Sequence, residues 1–187
     1  MRWLVPFLLG CSSSHGVSAD AAPPAPDADS RYCDTGADSA HVTVVSNNAT
    51  SVFTTAFAGG VVGSGGLLPL TGQPMSVSMM FTTMTHLPVA VAQCCDLGGG
   101  DCCPLDGIVA NTTDQLFPGT ELGSHAIMIR SLPSTNFTLQ GTLTVTDFVG
   151  PFDQAPGRIS GSISTSDHSV TGTFANTFCS ALFEFPI

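Results

Sequence analysis

The stretch NFTLQGTLTVTDF, residues 136–148, limits the fold of this chain more than any other. Phe137, Leu139, Gly141, Leu143 and Val145 recur at a spacing of two, with Thr138, Gln140, Thr142, Thr144 and Thr146 between them. A helix, with its period of about 3.6 residues, cannot separate these two sets. A strand with one buried and one wet face does. Two later segments repeat the pattern. GRISGSIST alternates Ile159, Gly161 and Ile163 with Ser160, Ser162 and Ser164, and HSVTGTFANTFC sets Val170, Gly172, Phe174 and Phe178 on one side. With a two-residue turn at Ser166 and Asp167, Gly161 would face Gly172, Ile159 would face Phe174 and Ile163 would face Val170. A loop through Pro151 would add Gly141 opposite Gly161 and Leu143 opposite Ile159. The expectation is a C-terminal three-strand meander with a glycine row across its core face. Such a row lets a sheet coil, or leaves a slot for an aromatic side chain or a ligand.

The rest of the chain supports the same class. Residues 41–46 and 49–59 read as strands joined by a turn at Asn47 and Asn48, and residues 75–85, 87–93 and 125–132 as three more. Residues 59–70 are glycine-punctuated, and residues 94–124 read as a long irregular middle. Charged residues make up only 10%, against about 25% in average domains. Ser, Thr, Gly and Asn supply the polar surface, which suits strands and turns better than exposed helices. Eight or nine short strands predict an all-β domain, an antiparallel β-sandwich or barrel-like fold, over residues 41–187.

Seven cysteines are present. Setting Cys11 aside leaves Cys33, Cys94, Cys95, Cys102, Cys103 and Cys179, an even set that predicts a disulfide framework in an oxidising compartment. Adjacent cysteines rarely bridge, because a disulfide needs Cα atoms about 4.4–6.8 Å apart. Cys94 or Cys95 is therefore expected to pair with Cys102 or Cys103, and Cys33 with Cys179 or a loop cysteine. A four-thiolate zinc site is disfavoured. Structural zinc spaces its ligands C-x₂₋₄-C, whereas QCCDLGGGDCCP holds two adjacent pairs.

The N-terminus, MRWLVPFLLGC, has one arginine and an apolar run too short to span a bilayer, which takes about 20 residues. Its end, LLGC at residues 8–11, resembles the lipobox of bacterial lipoproteins, although Leu9 is bulkier than usual there. The resemblance covers about the first eleven residues. It implies a signal peptide at 1–10 and diacylation of Cys11, which would become the mature N-terminus and hold the protein to a membrane. It also implies an exported location, at the outer membrane or cell surface. Cleavage after the small-residue site VSA, residues 17–19, is the alternative and would leave a soluble secreted protein. Residues 11–40 are rich in Ser, Ala, Pro and Asp and read as the anchor and a solvated linker, with Cys33 tying its end to the domain.

Little in the sequence points to catalysis. It holds no G-x-S-x-G elbow and no H-E-x-x-H helix. Asp167, His168 and Ser169 are consecutive, and side chains that alternate cannot assemble a triad, so they read as turn residues. Glu121, Glu184, Asp114, Asp147 and Asp153 offer carboxylates that nothing ties into pairs. Asp96, Asp101 and Asp106 do not match the EF-hand spacing. His41, His86, His125 and His168 are scattered. Met75 and Met79 share a face with Val77 and Phe81, opposite Met80 and Met84, which reads as core filling rather than a copper site. Sequons occur at Asn48, Asn111 and Asn136. The net charge of −10, with only Arg2, Arg31, Arg130 and Arg158 as basic residues, argues against nucleic acid. The reading is an exported, lipid-anchored, non-catalytic envelope domain with a binding or structural role, an unknown envelope or extracellular ligand, and no cofactor or metal. A secreted hydrolase with a loop-assembled site and a periplasmic metal carrier are the alternatives.

Overall fold

The computed structural model of the chain describes residues 32–34, 39–62, 73–88, 90–91, 105–132, 138–150 and 157–184. Eleven strands are present among them: β1 (Tyr32–Asp34), β2 (Ala40–Ser46), β3 (Ala49–Phe53), β4 (Thr55–Val62), β5 (Met75–Thr82), β6 (His86–Pro88), β7 (Gly107–Thr112), β8 (Gly123–Leu132), β9 (Thr138–Val149), β10 (Arg158–Thr165) and β11 (Val170–Glu184). The fold is all-β, and of the two expected architectures it is the barrel. Strands β4, β5, β7, β8, β9, β10 and β11 form a closed ring. Neighbours around it are antiparallel except at the closure, where β11 runs parallel to β4. Closure removes the free edges of an open sheet.

The ring is filled by side chains from its inward faces. Val77, Met79 and Phe81 from β5 meet Ile127 and Ile129 from β8, Leu143 and Val145 from β9, Ile159 and Ile163 from β10, and Phe174 from β11. Phe81 and Phe174 pack edge to face, with centroids 5.9 Å apart; Phe148 and Phe178 are equally close and tilted. The connection between β7 and β8 folds over one mouth of the barrel. Leu116 exchanges backbone hydrogen bonds with Met75, its side chain joins the core, and the Gly119 N–H donates to the Phe148 carbonyl.

A second apolar cluster lies on the outside of the ring. Phe57 of β4, Met80 of β5, Val109 of β7 and Leu132 of β8 point outward yet are buried, together with Cys33, Leu87 and Leu105. Strands β1 and β6 form a separate two-stranded sheet, and Cys33 of β1 and Leu87 of β6 bring it into this outer cluster. β1 falls within residues 11–40, the stretch read as anchor and linker.

Three sequence expectations need correction. Residues 107–124 are not irregular throughout, because β7 is a barrel stave and β8 begins at Gly123. Residues 49–59 form two strands, since the chain passes from the hairpin into the barrel at Thr54. The meander is present, but its register differs. Gly161 faces Phe174, Ile163 faces Gly172 and Ile159 faces Asn176; on the other side Gly161 faces Val145, Leu143 faces Ile163 and Gly141 faces Thr165. The three glycines therefore form no row. The cause is a four-residue connection, Ser166 to Ser169, in place of a two-residue turn. A bulge between Ser160 and Gly161 also shifts β10 against β9.

Candidate functional site

The Asp167 turn is the most developed polar network among the described side chains. Asp167 Oδ1 accepts hydrogen bonds from Thr165 Oγ1 (2.6 Å), the Ser169 N–H (3.0 Å) and Ser169 Oγ (2.7 Å). The Val170 N–H donates to Thr165 Oγ1, which ties the turn to β11. His168 takes a left-handed backbone at φ 57°, and its N–H donates to the Thr165 carbonyl. The Thr165 hydroxyl first, then the Ser169 N–H and hydroxyl, favour the ionised carboxylate and hold the Asp167 pKa at about 2, below its ordinary 3.8. Asp167 thus holds the Ser169 hydroxyl itself, where a triad would place an imidazole between acid and nucleophile. The expectation of turn chemistry agrees with this geometry.

A shallow open groove of about 350 Å³ runs where β2 meets β11, lined by Ser39, Ala40, His41, Thr173, Phe174 and Ala175. His41 and Thr173 offer polar groups to it. The Ser39 hydroxyl is engaged, because it accepts the Ala56 N–H at 2.9 Å. Among the described residues no carboxylate lines the groove.

The other candidates fall apart in space or into packing. Met75 and Met79 lie in the barrel core, Met80 lies in the outer cluster and Met84 is exposed, so these methionines form no common ligand set. His125 Nε2 lies 3.1 Å from the Glu121 carbonyl. Asp147 pairs with Arg158 Nε on the surface. Among the described residues, no three of His, Cys, Asp and Glu come together as a metal site.

Cys33 and Cys179 form a disulfide, one of the two partnerships left open for Cys33. Cys11, Cys94, Cys95, Cys102 and Cys103 lie outside the described residues, as do Asp96, Asp101, Asp153 and Asn136. Val91 and Leu105, which flank the paired cysteines in sequence, both pack against the outer cluster that contains Cys33 and Cys179.

One buried polar residue escaped the sequence reading. Asn176 points into the barrel between Phe174 and Phe178, is 5% exposed, and among the described residues has no hydrogen-bond partner at Oδ1 or Nδ2. Its period-two position was the available signal.

No family model, curated protein or solved structure matches the chain.

Proposed function

We propose that this chain is an exported β-barrel domain of the cell envelope, held to a membrane by lipid on Cys11, with a binding or structural rather than a catalytic role. The observation that carries the reading is the Cys33–Cys179 bridge, because disulfides form and persist in oxidising compartments. The lipobox-like LLGC supplies the anchor, and a diacylated cysteine joins two acyl chains, the number stable anchoring takes. The filled barrel interior supports a role for the outer surface and loops rather than an internal ligand chamber.

The test is mass spectrometry of the native protein taken from its own membranes, with non-reduced peptide mapping. The expected result is an N-terminus at Cys11 with a diacylglyceryl mass, a Cys33–Cys179 linked peptide, and release of a Cys11→Ala variant from the membrane fraction. An N-terminus at Asp20, or free thiols at Cys33 and Cys179, would overturn the anchored envelope reading. Hydrolysis of an ester, peptide or glycoside that a single substitution abolishes would overturn the non-catalytic one.

A further inference from the structure

The β2–β3 hairpin extends beyond the barrel mouth that holds the Asp167 turn. Val44 still pairs with Val170 of β11, and the Val45 N–H reaches the Ser169 carbonyl, but the chain beyond is exposed. Asn47 and Asn48, at φ 50° and 63°, close the hairpin with a left-handed turn that asparagine tolerates. β3 ends the strand order, and among the described residues its ladder runs to β2 alone.

The free edge of β3 can be read from its neighbours. The Val45 N–H addresses β11 and the Ala40 N–H addresses Thr54 on the β3 side. Even-numbered residues of β2 therefore bond to β3, through the pairs Val42–Phe53, Val44–Ser51 and Ser46–Ala49. Thr50 and Val52 then direct their N–H and C=O groups away from β2, into the open. Their side chains share a face with Thr43 and Val45. Val45 is 46% and Val52 is 41% exposed. None of the usual guards of a sheet edge is present in β3, which has no proline, no charge and no internal bulge.

We propose that the β3 edge pairs, antiparallel and about a two-fold axis at Ser51, with the β3 edge of a second copy of this chain. Thr50 would bond to Val52 of the second copy and Val52 to its Thr50, satisfying all the open groups in one isologous contact. The outer face would gain a continuous patch of Thr43, Val45, Thr50 and Val52 from both copies, β-branched cross-strand neighbours that pack well. The ladder is self-complementary about Ser51, and its lack of charge fits this occupant. The chain carries −10, yet residues 39–95 contain no Asp, Glu, Lys or Arg. β3 therefore sets no like charges directly against a second copy, while a basic peptide gains no ion pair from it.

A contact of one edge strand is small, so covalent trapping is the decisive readout. Residues facing across a two-fold at a non-hydrogen-bonded position lie about 4.5 Å apart at Cα, within disulfide range. The full chain carrying Ser51→Cys is expected to give a dimer linked through the introduced thiols of the two copies, as read by peptide mapping. Asn48→Cys, at the far turn, is expected not to. Wild type is expected to sediment at twice the chain mass and Val52→Lys at the chain mass, with the same far-ultraviolet circular dichroism because Val52 lies outside the barrel core. Wild type sedimenting as a single chain, with no link between copies in the Ser51→Cys variant, would overturn the proposal. A link from the introduced thiol to a different envelope protein would overturn it too, and would assign the edge to that partner.

Discussion

Cys33 and Cys179 lie 146 residues apart in sequence and 5.6 Å apart at Cα. The bridge joins β1 to the closing strand of the barrel, beside the outer cluster of Phe57, Met80, Val109 and Leu132. It fastens to the ring a three-residue strand whose ladder runs to β6.

A loop of that length makes the bridge a large stabiliser. In the chain-entropy account, closing it removes about 3–5 kcal/mol of denatured-state freedom. Cys33→Ala with Cys179→Ala is expected to lose that much in urea unfolding monitored by circular dichroism. A loss under about 1 kcal/mol would show that other links already constrain the unfolded chain.

Acid stability carries the mark of Asp167. Its folded pKa, about 2, lies below the ordinary 3.8. The carboxylate therefore contributes stability that is fully present above about pH 4 and is lost as pH falls through about 2. Wild type is expected to be more stable than Asp167→Asn at neutral pH, with the gap narrowing across that window. The carboxyl carbon resonance should titrate near pH 2. An inflection near the ordinary aspartate value would mean that the Thr165 and Ser169 hydrogen bonds do not form in solution.

What was legible in the sequence depends on how many faces each strand buries. β9 and β10 have one wet face, and their alternation announced them. Ala56-Phe57-Ala58, Met79-Met80-Phe81 and Ile108-Val109-Ala110 send side chains alternately to the inner core and the outer cluster. With both faces apolar the period vanishes, which is why β7 read as irregular. The meander register failed for a different reason. The observed pairing of β10 with β11 differs by two residues from the expected one, and a two-residue slip leaves every side chain on its own face. Alternation cannot separate the two; the Asp167 carboxylate does, by holding a four-residue turn. Among the site residues, an even count showed that the cysteines should pair, but only proximity in the fold selected Cys179 for Cys33.

Gly161 tests the close approach of β10 to β9 beside the bulge. A Cβ built there would lie 2.0 Å from the Thr144 carbonyl oxygen and 3.2 Å from the Val145 Cα, both backbone atoms of β9. Gly161→Ala must push two barrel staves apart and is expected to cost about 1–3 kcal/mol in urea unfolding. A cost below about 0.5 kcal/mol, the scale of an ordinary surface substitution, would show that the β9 backbone does not approach Gly161 this closely.

Asn176 offers a test with the opposite sign. Among the described residues the Asn176 carboxamide, 5% exposed, finds no hydrogen-bond partner, and a buried polar group left unpaired costs about 1–3 kcal/mol. Valine is close in volume, β-branched and suited to an inward strand position beside Phe174 and Phe178. Asn176→Val is therefore expected to raise stability by about 1–2 kcal/mol in urea unfolding, where most core substitutions lower it. Asn176→Asp would place a charge at the same point and is expected to be destabilising above the carboxyl's raised pKa. Should the valine variant instead lose more than about 1 kcal/mol, the carboxamide must have a partner inside the barrel. A polar guest held between Phe174 and Phe178 would then be the first thing to look for.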